Sequence, residues 1–215
     1  MEFSTNESPP SQSTASIQRP ISVSAFDGTS WQPTIAVLIP CLNEAAAIAK
    51  VVGDFRAALP GATVFVYDNG SKDRTAEIAR AAGAIVRIEP SRGKGNVVRR
   101  MFADVEADVF VLVDGDDTYD ASRAPELVGE LLLNSLDMVN GARRPVGNAA
   151  YRPGHRFGNR LLSGLVASFF GDQISDLLSG YRVFSRRFVK SFPALSSGFE
   201  IETELSVQAL QLRMP

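Results

Sequence analysis

Val109-Phe110-Val111-Leu112-Val113 runs directly into Asp114-Gly115-Asp116-Asp117, so an unbroken apolar run ends in an abrupt acidic turn. Such a run, rich in β-branched residues, is typical of a strand covered on both faces of a parallel sheet. Ligands of open parallel sheets bind beyond the carboxyl ends of the strands. The carboxylates that follow Val113 are therefore expected to lie in a binding site.

The chain on both sides of this stretch repeats an apolar run, a polar turn and a helical pattern. Strands are predicted at 35–39, 63–67, 84–88, 109–113, 137–140 and 183–184, and helices at 45–58, 75–82 and 96–103. This alternation predicts an α/β protein with a Rossmann-like, mostly parallel open sheet and helices on both faces.

Length and composition predict one globular domain. The 215 residues are 45% hydrophobic and 21% charged, with a formal net charge of −2, which excludes global disorder and provides no basic field for nucleic acid. The Ser-, Thr- and Pro-containing residues 1–33 are predicted to be a disordered or weakly ordered tail without a signal peptide, and 34–215 the domain. A single cysteine, Cys41, forms no internal disulfide and favours a reducing compartment.

The longest apolar stretch, 161–170, is broken by Ser163, Gly164 and Ser168. It is far shorter than the roughly 20 residues that cross a bilayer, so a core helix is predicted and no spanning segment. The chain stops at Pro215 directly after a helical pattern. We expect the natural protein to continue, into membrane-anchoring helices.

The acidic turn predicts a divalent cation. Clustered carboxylates repel one another unless a cation lies among them, and hard oxygen ligands suit Mg²⁺ or Mn²⁺. Such ions are usually held by one or two carboxylates together with substrate phosphates, which points to a diphosphate. A solvated acidic turn is the alternative, and Gly115, which permits close approach after a buried strand, argues against it.

Two further turns follow predicted strands. In Pro40-Cys41-Leu42-Asn43-Glu44, Asn43 is predicted to cap a helix and Glu44 to accept hydrogen bonds from a ribose or base. In Asp68-Asn69-Gly70-Ser71-Lys72-Asp73, turn and cap rules account for every residue except Asp68, because Asp73 and Ser71 can cap the helix at Thr75. Asp68 is therefore predicted to contact a base or ribose.

Taken in this order, the turns resemble those of family 2 glycosyltransferases, which have the GT-A fold. The resemblance covers about 35–214, and polyprenyl-phosphate glycosyltransferases are the most similar members. The matching segments are 40–44, 68–73, Arg92-Gly93-Lys94-Gly95, Asp114-Gly115-Asp116, Gly141-Ala142-Arg143, Arg156-Phe157-Gly158-Asn159 and Asp176-Leu177-Leu178-Ser179-Gly180-Tyr181-Arg182.

The resemblance implies roles for these residues. Nucleotide contacts fall to Pro40, Asn43, Glu44, Asp68, Lys94, Asp114 and Gly115. Asp114 and Asp116 hold the metal, while Asp176 and Arg182 lie at the reacting centre as catalytic residues. It implies an inverting transfer from a UDP- or GDP-sugar to a polyprenyl phosphate, at the cytoplasmic face of a membrane.

An arginine-rich segment supports an anionic acceptor. Between residues 143 and 160 the chain carries five arginines, and no Asp or Glu occurs before Asp172. Guanidinium groups bind phosphate oxygens in pairs, so Arg143 and Arg156, with Asn159, are predicted to bind the acceptor or donor phosphates. A solvated or membrane-surface patch is the alternative interpretation.

Other functions remain open at this point. A saccharide hydroxyl could replace the lipid phosphate as acceptor. A nucleotide-sugar-binding module that has lost turnover is a further alternative, and the presence of Asp68, Asp114, Asp116 and Asp176 argues against it. Asp114 to Thr118 also matches the Asp-x-Asp-x-Thr element of haloacid-dehalogenase-type phosphatases. That element belongs after the first strand of its fold, whereas three strand and helix units precede it here.

Overall fold

A computed structural model describes residues 23–24, 30–141 and 179–215. Four predicted site residues, Arg143, Arg156, Asn159 and Asp176, lie outside the described residues, as does the apolar stretch 161–170.

In the described part, strands occur at all six predicted places, and two short strands near the N-terminus were not predicted. The strands are β1 (Val23–Ser24), β2 (Ser30–Trp31), β3 (Ile35–Cys41), β4 (Thr63–Asp68), β5 (Ile85–Ile88), β6 (Val109–Leu112), β7 (Met138–Asn140) and β8 (Arg182–Ser185). The pairing of β1 with β2 lies within 1–33, the range predicted to be disordered or weakly ordered.

The described residues form six α-helices. They are α1 (Ile48–Ala58), α2 (Thr75–Ala81), α3 (Lys94–Asp104), α4 (Ala124–Leu133), α5 (Arg186–Ser191) and α6 (Ile201–Gln211), with a 3-10 turn at Ala121–Arg123. None of the helices in the described ranges is long and apolar enough to cross a membrane.

The main sheet of the described residues has six strands in the order β5-β4-β3-β6-β8-β7. Neighbours from β5 to β6 run parallel, whereas β8 runs antiparallel to both β6 and β7. The mostly parallel α/β sheet predicted from sequence is confirmed. Strands β4, β3 and β6 are adjacent, so the turns that follow them meet at one edge.

Alternate side chains of β3 point to opposite faces, as the period of a strand requires. Val37 and Ile39 pack with the buried side of α1 and α4. Ala36 and Leu38 pack with α3, α5 and α6. The sheet is therefore covered on both faces, which explains why its central strands are almost wholly apolar.

Helix α1 begins later than predicted. Residues 45–47 form a turn, in which the Glu44 carbonyl accepts from the amides of Ala47 and Ile48 at 3.0 and 2.9 Å. The structural N-cap is Ala47, without a side-chain cap. The prediction that Asn43 caps this helix is wrong, since the extra turn moves the helix start away from it.

Candidate active site

Four carboxylates gather at the carboxyl edge of the sheet around the Cys41 thiol. Burial, and then repulsion from Glu44, Asp68, Asp114 and Asp116, raises the pKa of Cys41 above its ordinary value. Cys41 is opposite Asp68 in the β3–β4 register. The structure thus brings together acidic residues from three separate turns, as expected from the parallel topology.

The carboxylate of Glu44 lies in the field of the acidic turn. Its pKa is raised by burial and then by repulsion from Asp116 and Asp114. A bound cation would relieve this repulsion, and carboxylate oxygens are the ligands that Mg²⁺ and Mn²⁺ prefer.

No group of three or more His, Cys, Asp or Glu side chains placed to hold a metal occurs within 23–24, 30–141 and 179–215. Two carboxylates together with substrate phosphates are, however, the usual ligand set of Mg²⁺. Asp114 and Asp116 fit a cation that is bound together with a diphosphate.

Asp114 is held on two sides. Its Oδ1 accepts from Lys94 Nζ at 2.5 Å. On the other side lies Gly180, where any Cβ would overlap the Asp114 carboxylate. The amide of Gly180 donates to the Tyr119 hydroxyl oxygen at 2.7 Å, which fixes the distance between this backbone and the carboxylate.

Lys94 is shared between two acids. Its Nζ donates to Asp114 and also to Glu202 Oε1, at 2.5 Å in each case, and the Lys94 side chain is only 8% exposed. Burial by itself would lower the pKa of Lys94, but attraction to Asp114 and Glu202 outweighs it and raises the pKa. The ammonium is therefore charged where a nucleotide phosphate is expected.

The remainder of the acidic turn is held by local contacts. Asp117 has a φ of 61° and accepts from Lys50 Nζ at 2.8 Å. Asp116 is exposed, and its Oδ1 accepts from the amide and hydroxyl of Thr118. Asp116 is therefore open to a ligand, whereas Asp117 joins the turn to α1.

Gly115 packs against the end of β3, and its contact with a nucleotide stays a prediction. A Cβ at this position would lie 2.7 Å from the Cys41 sulfur. The contact that requires glycine here is with the protein itself, because the acidic turn passes directly over the end of β3. Pro40, by contrast, lies within β3 and is half-buried.

Asn43 joins the first turn to the second. It has a φ of 59°, a conformation that asparagine tolerates. Its Oδ1 accepts from the Lys72 amide at 2.8 Å, and its own amide donates to Ser71 Oγ at 2.8 Å. Asn43 thus bridges the turns that follow β3 and β4, and its contact with a nucleotide stays a prediction.

Asp68 holds its own turn together, contrary to prediction. Its carboxylate accepts from the Ser71 amide at 3.2 and 3.3 Å and also from the Ser71 hydroxyl. The prediction that Asp73 and Ser71 cap α2 is wrong, because its N-cap is Arg74 without a side-chain cap, although Asp73 accepts from the Thr75 amide at 3.0 Å. Asp68 is 4% exposed, and its contact with a base or ribose stays a prediction.

The start of α3 packs under the segment 196–198. The Gly95 amide donates to the carbonyls of Ser197 and Gly198 at 3.0 and 3.1 Å. Side chains at Gly93 or Gly95 would overlap the backbone of Ser196 and Ser197. Both glycines of the Arg-Gly-Lys-Gly turn are therefore required by packing against this segment.

Arg182 is completely buried. Its guanidinium donates to the carbonyls of Ser179 and Glu202 and to Ser206 Oγ, at distances of 2.8 to 2.9 Å. It therefore links β8 to α6 behind the site. The catalytic role implied by the resemblance stays a prediction, and the contacts favour a supporting one.

Sequence reasoning missed two residues in contact with Asp114 or its partner. Glu202 lies in the first turn of α6, outside the motifs quoted from the sequence. Gly180 was quoted only as part of a motif. No local motif marks Glu202, because its contact with Lys94 spans 108 residues of sequence.

A Rossmann-like sheet with carboxylates and a buried lysine at the carboxyl ends of its parallel strands defines an α/β protein whose ligand site lies at that edge. The family described as glycosyl transferase family 2 matches residues 36–192. The chain belongs to this family and has its GT-A fold.

Three relatives illustrate the range of similarity. RfbJ of Shigella flexneri is 58% identical over 123 residues, which are 57% of this chain and 95% of RfbJ. Glycosyltransferase AglJ of Haloferax volcanii is 38% identical over 81% of this chain, which spans 57% of AglJ. A dolichyl-phosphate hexose transferase of the same organism is 31% identical over 72% of this chain and 68% of its own length.

Similar solved structures include glucosyl-3-phosphoglycerate synthase from Mycobacterium tuberculosis in complex with UDP. It has a TM-score of 0.70 and 28% identity, covering 84% of this chain and 66% of that chain. The same enzyme has been solved with Mn²⁺, UDP-glucose and phosphoglyceric acid, again with a TM-score of 0.70 and 28% identity, over 83% of this chain and 66% of that chain.

Proposed function

We propose that the protein transfers a sugar from a UDP- or GDP-sugar to a polyprenyl phosphate, with inversion at the anomeric carbon and a requirement for Mg²⁺ or Mn²⁺. The observation that carries the donor half is the gathering of Asp114, Asp116, Asp68 and Glu44 beside the buried ammonium of Lys94.

The donor site separates into two regions. Asp68, with Pro40, Asn43 and Glu44, belongs to the nucleoside end near β3 and β4. Asp114 and Asp116 would hold the cation, which supplies charge stabilisation for the leaving diphosphate. Lys94 adds a second positive charge at the same end, and the similar synthase was solved with Mn²⁺ and UDP-glucose.

The transfer is a single displacement. An acceptor phosphate oxygen forms a bond to the anomeric carbon while the bond from that carbon to the diphosphate breaks, and the electron pair stays on the diphosphate. A deprotonated phosphate oxygen needs no general base, so positive charges that position the acceptor suffice. Arg143, Arg156 and Asn159 are proposed for this role, and Asp176 for orienting the donor sugar.

Two observations favour a lipid acceptor. The similar hexose transferase is named for dolichyl phosphate. In addition, the side chains of Leu195 and Phe199 are each 76% exposed, and the Phe199 ring centre lies 6.0 Å from Lys94 Nζ. Apolar surface beside Lys94 suits an amphiphile with a phosphate head, which supports the proposal of a lipid acceptor. The proposed place of the reaction is the cytoplasmic face of a membrane.

The test is transfer of radiolabelled sugar from a panel of UDP- and GDP-sugars to dolichyl phosphate, with Mn²⁺ or with EDTA. We expect lipid-linked product with Mn²⁺ only, and at least a hundredfold loss in Asp116→Asn, because the cation loses a ligand. Glu77→Gln makes the same chemical change at an exposed ion pair on α2 and should retain full activity.

The acceptor is tested separately. Phosphoglyceric acid and free saccharides replace dolichyl phosphate in the same assay, since the similar synthase was solved with phosphoglyceric acid. Product with these acceptors alone would overturn the lipid assignment. Activity that is unaffected by EDTA and by Asp116→Asn would overturn the metal-dependent donor site.

A further inference from the structure

Glu202 is the partner that divides Lys94 between two carboxylates. The two acids contact the same Nζ at equal distances of 2.5 Å, and the Glu202 side chain is 11% exposed against 26% for Asp114. Glu202 and Lys94 are separated by 108 residues in sequence. This contact is therefore created by the packing of α6 against α3 and is not part of a local turn.

The backbone of Glu202 is held by hydrogen bonds to its carbonyl. Its carbonyl accepts from Arg182 Nη2 at 2.8 Å, and from Ser206 Oγ at 3.2 Å. Arg182 Nη1 in turn donates to Ser206 Oγ at 2.8 Å. Because Arg182 is fully buried, the first turn of α6 cannot move freely away from β8.

The charge of Glu202 affects how strongly Lys94 neutralises Asp114. With Glu202 ionised, Lys94 is neutralised from two directions, and Asp114 keeps part of its negative charge for another cation. Without that second acid, the buried ammonium would pair with Asp114 alone. An ion pair confined to two buried partners is difficult for a competing cation to displace, because each separated charge must be resolvated or paired again.

We propose that Glu202 is a positioning residue that draws Lys94 away from exclusive pairing with Asp114, and so keeps the Asp114 carboxylate available to the cation of the donor complex. This inference rests on the proposed function. Glu202 acts through its contact with Lys94.

A double-mutant cycle tests the coupling. Calorimetry measures the affinity for UDP and GDP in the presence of Mn²⁺, and for Mn²⁺ at saturating nucleotide, in wild type, Glu202→Gln, Lys94→Gln and the double variant. We expect Glu202→Gln to weaken Mn²⁺ binding at least fivefold in the wild-type background. In the Lys94→Gln background, where no ammonium competes for Asp114, the same change should have less than a twofold effect.

Two additional variants separate positioning from folding. Glu202→Asp keeps the charge with a shorter reach and should recover part of the lost affinity. Glu77→Gln is the matched control and should bind as wild type does. Thermal melting of every variant shows whether a lost affinity reflects lost fold.

The outcomes distinguish the two proposals. An equal loss of Mn²⁺ affinity in both backgrounds would overturn the role of Glu202, and so would the absence of any loss in Glu202→Gln. In either case, Mn²⁺-dependent nucleotide binding by wild type would still support the donor site. If wild type bound neither nucleotide with Mn²⁺, the proposed function would fail, and this inference with it.

Discussion

Gly180 lies closer to the Asp114 carboxylate than any other residue type would permit. Its amide is held by the Tyr119 hydroxyl at 2.7 Å, and a Cβ would overlap the carboxylate oxygens. The backbone cannot retreat without losing a buried hydrogen bond, so the carboxylate would have to move.

We therefore expect Gly180→Ala to weaken Mn²⁺-dependent UDP binding at least tenfold, about 1.4 kcal/mol, as measured by calorimetry. Gly53→Ala is the control, because nothing lies within 4 Å of a Cβ at that position of α1. It should leave binding unchanged and stabilise the helix by up to about 1 kcal/mol. Wild-type affinity in Gly180→Ala would show that the contact is unimportant.

At the scale of elements, Asp137 joins the start of β7 to the start of α5. Its carboxylate accepts from Ser185 Oγ at 2.6 Å and from Arg187 Nε at 2.9 Å. Ser185 also caps α5 by accepting from the Phe188 amide. One buried carboxylate thus sets the angle between an edge strand and a helix.

This junction makes stability depend on pH. Burial by itself would raise the pKa of Asp137, but hydrogen bonds from Arg187 and Ser185 outweigh it and lower the pKa. A pKa lowered in the folded state contributes stability above the unfolded value, about 3.9, and this contribution is lost as the pH falls through the folded value.

Thermal melting between pH 7 and pH 3 measures the effect. Asp137→Asn should cost about 1 to 3 kcal/mol at pH 7, and the difference from wild type should shrink as the pH falls below about 4. Asp54→Asn, at an exposed pair with Lys50, should change stability by less than about 0.5 kcal/mol. A difference between Asp137→Asn and wild type that did not vary with pH would contradict the assignment.

At the scale of the whole molecule, two apolar clusters share one sheet. Phe55 on α1 belongs to the first and Phe188 on α5 to the second, and each is 1% exposed. Because the same strands carry both clusters on opposite faces, loss of either face removes support from the other. We expect the described domain to unfold as one cooperative unit.

Urea unfolding tests this with far-UV circular dichroism and tyrosine fluorescence. Phe55→Ala and Phe188→Ala should each lower the free energy of unfolding by about 3 to 5 kcal/mol, in transitions that coincide for both probes. Leu133→Ala, at a side chain that is 78% exposed, should change it by less than about 0.5 kcal/mol. Two separated transitions in either core variant would contradict a shared core.

Local sequence determined the elements of this protein. The apolar runs of β3, β4 and β6 and the turns after them were predictable because strand period and turn chemistry involve neighbouring residues. Parallel topology then brought Glu44, Asp68 and the acidic turn to one edge, as expected. The start of α1 was misplaced, because a turn and a helix satisfy similar residue patterns over so short a span.

Tertiary structure alone decided how these groups are used. The sharing of Lys94 between Asp114 and Glu202, the approach of Gly180 and the burial of Arg182 depend on how β8 and α6 pack against the rest of the sheet. Sequence periodicity carries no information about contacts across 108 residues. Such contacts are set by burial of the whole chain, which selects one arrangement of charges among many that local patterns allow.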